Sequence, residues 1–201
     1  VTVSVKTPPP VEPVTLAEAR NHCRLVATGS PDTHPDDDFL TRVIAAARQH
    51  AERWTRRTFV ETEFTWSFDS FPNGRLVLPR DPVLSITSIA YTDTSGNPQT
   101  FSDYTTQFTE SESVIVPNYG SDWPTARGHL GDVTVTFKAG YAPETSPTDY
   151  RANVPASIKS AILLLVGHLY EHRSAVITDA TVADVKLAYE SLLWPHRILD
   201  V

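Results

Sequence analysis

His168-Leu169-Tyr170-Glu171-His172 is the stretch of this sequence closest to catalytic chemistry. Two imidazoles one helical turn apart can grip a single metal ion while a neighbouring carboxylate activates water, and H-x-x-E-H is the inverted zinc-peptidase order of those parts. The pattern fixes only three positions. It also falls at the last turn of an apolar run, where His and Arg complement the helix dipole without any metal. A third ligand would have to come from Asp179, Asp184 or Glu190, whose spacing carries no metal signature. The stretch therefore reads as a capped helix end. No enzyme activity, catalytic residue, metal or cofactor is expected, and a zinc-dependent hydrolase using His168, Glu171 and His172 is the alternative.

Other chemistry is thinner. Asp36, Asp37 and Asp38 lack the spacing and glycine of a calcium loop and suit a helix N-terminus instead. Arg53, Arg56 and Arg57 could touch phosphate, but a solvated face or an inter-subunit ion pair fits an isolated cluster better. The sequence lacks G-x-S-x-G, G-x-x-x-x-G-K-[ST] and G-x-G-x-x-G. Cys23 is the single cysteine, so no internal disulfide can form, which suits folding in a reducing cytoplasm. A formal charge of −7 argues against gripping nucleic acid, which needs a basic face to displace counterions. No apolar run reaches the ~20 residues of a membrane helix, and no secretory signal is expected.

The elements that carry these residues follow from hydrophobic period. Pro8-Pro9-Pro10 and Pro13 make residues 1–14 an extended arm. Thr15 and Glu18 have capping-box spacing, and Leu16, Ala19, Cys23 and Val26 form the stripe of a first helix. Phe39, Leu40, Val43, Ile44, Ala47, Ala51 and Trp54 define a second. At Phe59 the period changes to two. Strands are expected at Thr62–Phe68, Arg75–Leu78, Val83–Tyr91, Tyr104–Phe108, Ser113–Val116 and Asp132–Lys138, with a long loop at Asn118–Gly131. Helix returns after Pro155, with Ile158, Ala161, Ile162, Leu165, Val166 and Leu169 on one face. A last helix runs from Val182 to Leu193, with Val182, Val185, Leu187, Tyr189 and Leu192 as its packing residues, and Pro195 ends it. The fold class is α+β: a bundle of about four helices with an inserted antiparallel β region. Its parts are the arm (1–14), helices (15–58 and 153–194), the β region (59–140), a linker (141–152) and a tail (195–201).

One combination of segments in this order is specific. It comprises Val14-Thr15-Leu16-Ala17-Glu18-Ala19, Asp36-Asp37-Asp38-Phe39-Leu40, Glu52-Arg53-Trp54-Thr55, Leu78-Pro79-Arg80-Asp81-Pro82-Val83 and Val135-Thr136-Phe137-Lys138-Ala139-Gly140-Tyr141. Val154-Pro155-Ala156-Ser157-Ile158-Lys159, His168–Arg173 and Leu192-Leu193-Trp194-Pro195-His196-Arg197 complete it. Together they resemble the head–tail connector (adaptor) proteins of tailed double-stranded DNA phages, prophages and gene transfer agents. The resemblance implies a structural virion subunit, assembled in the bacterial host cytoplasm. Copies would form a ring, usually dodecameric, that docks beneath the portal protein, extends the DNA channel without binding DNA specifically, and meets a neck or tail protein below. The family's C-terminal segment reaches the portal, which here implicates Trp194, Arg197, Ile198, Leu199 and Val201. A different neck or tail structural module is the remaining alternative, and no membrane is involved.

Overall fold

Val1, Val3 and Val5 alternate with Thr2, Ser4 and Lys6, and β-branched residues at period two favour a pleated strand. A computed structural model describes residues 1–26, 33–109, 112–146, 148–173 and 188–199. In it, strand β1 (Thr2–Thr7) pairs antiparallel with β2 (Thr62–Phe68), setting Val3 opposite Trp66 and Val5 opposite Phe64. The first seven residues of the expected arm are thus largely sheet, and the proline run begins only where pairing stops. Glu12 is held as well: the Arg48 guanidinium donates to its carboxylate at 2.7 Å.

The chain divides into two units, Val1–Pro10 with Val60–Ala142, and Val11–Phe59 with Pro143–Val201. The first unit is all β. After β2 come β3 (Leu76–Val77), β4 (Val83–Thr92), β5 (Pro98–Thr100), β6 (Tyr104–Phe108), β7 (Ser113–Pro117) and β8 (Val133–Ala139). They form a five-stranded antiparallel sheet ordered β1-β2-β8-β4-β5 and a three-stranded one ordered β3-β7-β6. Inward residues of both sheets, among them Phe64, Ile89, Val135 and Phe137 with Leu76 and Ile115, fill one core. The long connection before β8 contains no strand but is pinned. Trp123 stacks on Phe71 at 4.9 Å, and its indole N–H donates to the Gly74 carbonyl. Where β8 ends, Val60 and Tyr141 form a parallel bridge, so the outgoing and returning chain lie side by side.

The second unit is mainly helical. Helix α1 (Leu16–His22) starts on the expected capping box, with Glu18 N–H donating to Thr15 Oγ1 at 3.1 Å and Thr15 N–H to Glu18 Oε2 at 2.6 Å. It stops earlier than the stripe suggested. Arg24 adopts φ 56°, which turns the chain off the helical path and leaves Val26 78% exposed rather than packed. Helix α2 (Asp37–Thr55) buries Leu40, Val43, Ile44, Ala47 and Ala51. The expected linker carries a short hairpin of β9 (Glu144–Thr145) and β10 (Thr148–Asp149), and α3 (Ala156–Glu171) follows. Ile158, Ala161, Ile162 and Val166 are buried in α3, while Leu165 and Leu169 are half-buried. Of the last expected helix, Val182, Val185 and Leu187 lie outside the described residues. Residues 188–193 are helical, with Tyr189 and Leu193 buried and Leu192 half-buried.

Candidate functional site

The second unit offers two places where polar side chains gather, at opposite ends of α2. At the N-terminal end, Asp36 and Asp37 do more than face the dipole. Arg20, itself buried, clamps Asp37 through two bonds of 2.7 and 2.6 Å, joining α1 to α2. Asp36 accepts from the Tyr170 hydroxyl at 2.5 Å and from Arg173 at 2.8 Å, joining α2 to the end of α3. Arg173 also lies 4.5 Å over the Phe39 ring and 4.6 Å over Tyr170. The Arg20 bonds hold the Asp37 carboxyl below its ordinary pKa, and those from Arg173 and Tyr170 do the same for Asp36. The acceptor bond to Asp36 in turn raises the Tyr170 phenol.

His168 and His172 sit beside this junction and do share a face, with ring centroids 4.7 Å apart. The hydrogen bonds of His172 are local, and the buried His168 Nδ1 has no hydrogen-bond partner among the described residues. The His172 backbone N–H caps the His168 carbonyl at 3.0 Å, and its Nδ1 lies 3.1 Å from the same oxygen. Glu171 is exposed. A cleft of about 550 Å³ is bordered by His22, Cys23, Gly167, His168, Glu171 and His172. Among the described residues no group of three or more His, Cys, Asp or Glu is placed to hold a metal ion. Asp179 and Asp184 lie outside the described residues. Burial raises the Cys23 thiol, with the Glu171 charge adding to it, which makes this cysteine less nucleophilic than an ordinary one.

At the C-terminal end of α2 lies the tail. Trp194–His196 form a single 3₁₀ turn, in which Pro195 is tolerated because it sits at the start. The turn is tied down from three sides. Arg57 Nε donates to the His196 carbonyl, the His196 ring meets Ser157 Oγ at 2.7 Å, and Ile198 N–H donates to the Thr55 carbonyl at 3.0 Å. The Arg197 guanidinium rests 4.9 Å over Trp54 and 5.7 Å over Trp194. Of the residues implicated by resemblance, Trp194 and Leu199 are each 59% exposed, Arg197 is exposed, Ile198 is half-buried, and Val201 lies outside the described residues. The tail through Leu199 therefore folds back on its own unit while presenting its large side chains outward. Trp54, Thr55 and Ser157, which help hold it there, carried no separate signal in the sequence, whereas Arg57, expected with Arg53 and Arg56 on a solvated face or in an inter-subunit ion pair, is instead buried against the tail.

These features belong to a recognised class of fold. The chain matches chains in solved structures of virus-like particles over its whole length. In a structure of the virion of a native gene transfer agent (GTA) particle the TM-score is 0.80 at 21% identity, covering 100% of this chain and 97% of that one. In the neck of an empty GTA particle, computed with C6 symmetry, it is 0.82 at 21% identity with the same coverage. In the neck of a native GTA particle, computed with C12 symmetry, it is 0.77 at 18% identity, again covering 100% and 97%. No protein-family model and no curated protein matches the sequence. The α+β fold implied by the resemblance to connector proteins is thus present, and it is the fold of chains found in GTA virions and necks.

Proposed function

We propose that this chain is a head–tail connector (adaptor) subunit of a virion neck, a structural protein and not an enzyme. Copies of it form a ring beneath the portal, extend the DNA channel and join the capsid to the next neck or tail component. One observation carries the reading: the likeness to GTA neck chains spans the entire chain at TM-scores of 0.77 to 0.82. The six- and twelvefold symmetry of those necks supports a ring, usually dodecameric in the resembled family. The formal charge of −7 suits a channel that must pass DNA without gripping it. The outward-facing Trp194, Arg197 and Leu199 suit a contact with the portal, since aromatic and arginine side chains dominate protein interfaces.

The test mixes the purified full-length chain with portal-bearing heads that lack necks and images the particles. A ring of this chain bound at the portal vertex is the expected result. Heads that remain bare at saturating protein would refute the reading. Binding instead to a distal tail component would favour a different tail module.

A further inference from the structure

We propose that Asn73-Gly74, in the turn between β2 and β3, is a site of spontaneous modification: Asn73 deamidates through a cyclic imide, and the isoaspartate that results releases the loop anchor at Trp123. The inference concerns the β unit alone and does not depend on the connector reading.

The asparagines of the chain stand at positions 21, 73, 97, 118 and 153, and their surroundings separate them. The reaction needs the backbone nitrogen of the next residue to reach the side-chain carbonyl, so a flexible, unhindered successor with a free N–H decides the rate. Asn21 lies in helix α1, where the following N–H runs along the axis. Asn97 precedes Pro98, which has no N–H. Asn118 is held by Thr105 at 2.5 Å and Asp103 at 2.6 Å, and it precedes the bulky Tyr119. Asn153 precedes Val154, which is branched at Cβ and buried. Asn73 has none of these restraints. Both it and Gly74 are exposed, and among the described residues neither the Asn73 side chain nor the Gly74 N–H makes a hydrogen bond. A Cβ built on Gly74 would meet nothing within 4 Å, so no neighbour crowds the approach.

In the first step the deprotonated Gly74 nitrogen bonds to the Asn73 side-chain carbonyl carbon, and the side-chain nitrogen leaves as ammonia. Water then opens the cyclic imide. Opening at the side-chain carbonyl gives aspartate with the backbone intact. Opening at the backbone carbonyl gives isoaspartate, whose main chain runs through the former side chain and is longer by a methylene. Either product adds a negative charge. The isoaspartate also displaces Gly74, whose carbonyl accepts from the Trp123 indole N–H at 2.6 Å. That bond and the Trp123 stack on Phe71 at 4.9 Å pin the connection before β8, so isoaspartate at position 73 loosens it.

The test ages the full-length chain in buffer and follows each asparagine by peptide mass, with isoaspartate read by enzymatic carboxyl methylation. Conversion at Asn73 is expected to run about tenfold faster than at Asn21, Asn118 or Asn153, and to rise with pH because the deprotonated nitrogen attacks. Gly74→Ala, whose Cβ has room in the fold, should slow it by about tenfold. The Ser121 N–H, which donates to the Asn118 carbonyl at 2.9 Å, should exchange hydrogen faster in aged wild type than in fresh protein or in an aged Asn73→Gln sample. Equal rates at Asn73 and the other asparagines, or no slowing in Gly74→Ala, would overturn the site. Aspartate without isoaspartate, or isoaspartate with unchanged exchange at Ser121, would overturn the release of Trp123.

Discussion

Gly140→Ala is the most informative single change to the β unit. Gly140 follows β8, donates its N–H to the Pro82 carbonyl at 2.8 Å, and has φ +133°, a backbone that L-residues avoid. A Cβ there would lie 2.5 Å from the Val60 carbonyl carbon, 2.6 Å from Glu61 N and 2.7 Å from Val60 O. All three are backbone atoms, so no flexible side chain can swing away. Holding alanine at this φ costs about 1–3 kcal/mol, and forcing apart two packed backbones adds about 1–3 kcal/mol. For a chain of this size each kcal/mol lowers the thermal midpoint by about 2–4 °C, so a fall of about 5–20 °C is expected. Scanning calorimetry or circular dichroism would read it. Gly74→Ala, where a Cβ meets nothing within 4 Å, is the matched control and should stay within about 0.5 kcal/mol of wild type. A midpoint for Gly140→Ala within a degree of wild type would refute the argument that the bridged segments at Val60 and Tyr141 leave no room for a side chain.

Thr15→Ala removes the side-chain half of the capping box, keeps the backbone N–H bond from position 15 to the Glu18 carboxylate, and should cost about 0.5–2 kcal/mol in urea denaturation. Phe137→Ala empties the centre of the β core, where Phe137 stacks on Phe64 at 5.6 Å, and should cost about 3–5 kcal/mol. The carboxyls of Asp36, Asp37 and Asp132 titrate below their ordinary values because of Arg173, Arg20 and Arg127, so their contribution is present above the unfolded pKa of about 4 and is lost as pH falls through the folded values. The thermal midpoint should therefore drop below about pH 4, less steeply in Asp37→Asn; an identical acid profile would exclude the Arg20 clamp as a source. Zinc added to chelator-free protein should bind without fixed stoichiometry, and a one-to-one site lost in His172→Ala would revive the hydrolase alternative.

The β region was legible because its strands alternate cleanly. Thr62–Phe68 and Tyr104–Phe108 match the sequence reading residue for residue, and the turns between strands fall at glycine, proline and asparagine. β1 carried an equally clear signal in Val1, Val3 and Val5, but it stands next to three prolines, whose ban on helix reads equally well as an unpaired arm. β5, β9 and β10 are two or three residues long, too short for any period to register. The early end of α1 was hidden because a left-handed arginine at position 24 leaves no mark in composition. At the tail, Trp194, Arg197, Ile198, Leu199 and Val201 were singled out through the family resemblance. The fixed placement of the tail was not legible, since it depends on Arg57 and Ser157, more than 35 positions away along the chain.

The pairing of β1 with β2, and of β2 with β8, has a consequence for how the protein comes into being. Residues 2–7 are made well before their partner strand, which begins only at Thr62, and the neighbour on that strand's other edge arrives with Val133. The helical unit is likewise cut in two by the β unit, with α3 and the tail made only after it. The β unit therefore holds an unfinished sheet until β8 has been made, and the helical unit holds an open helix face until α3 follows. A chain released before β8 would lack the strand that joins β2 to β4, and one released before α3 would leave the apolar face of α2 uncovered.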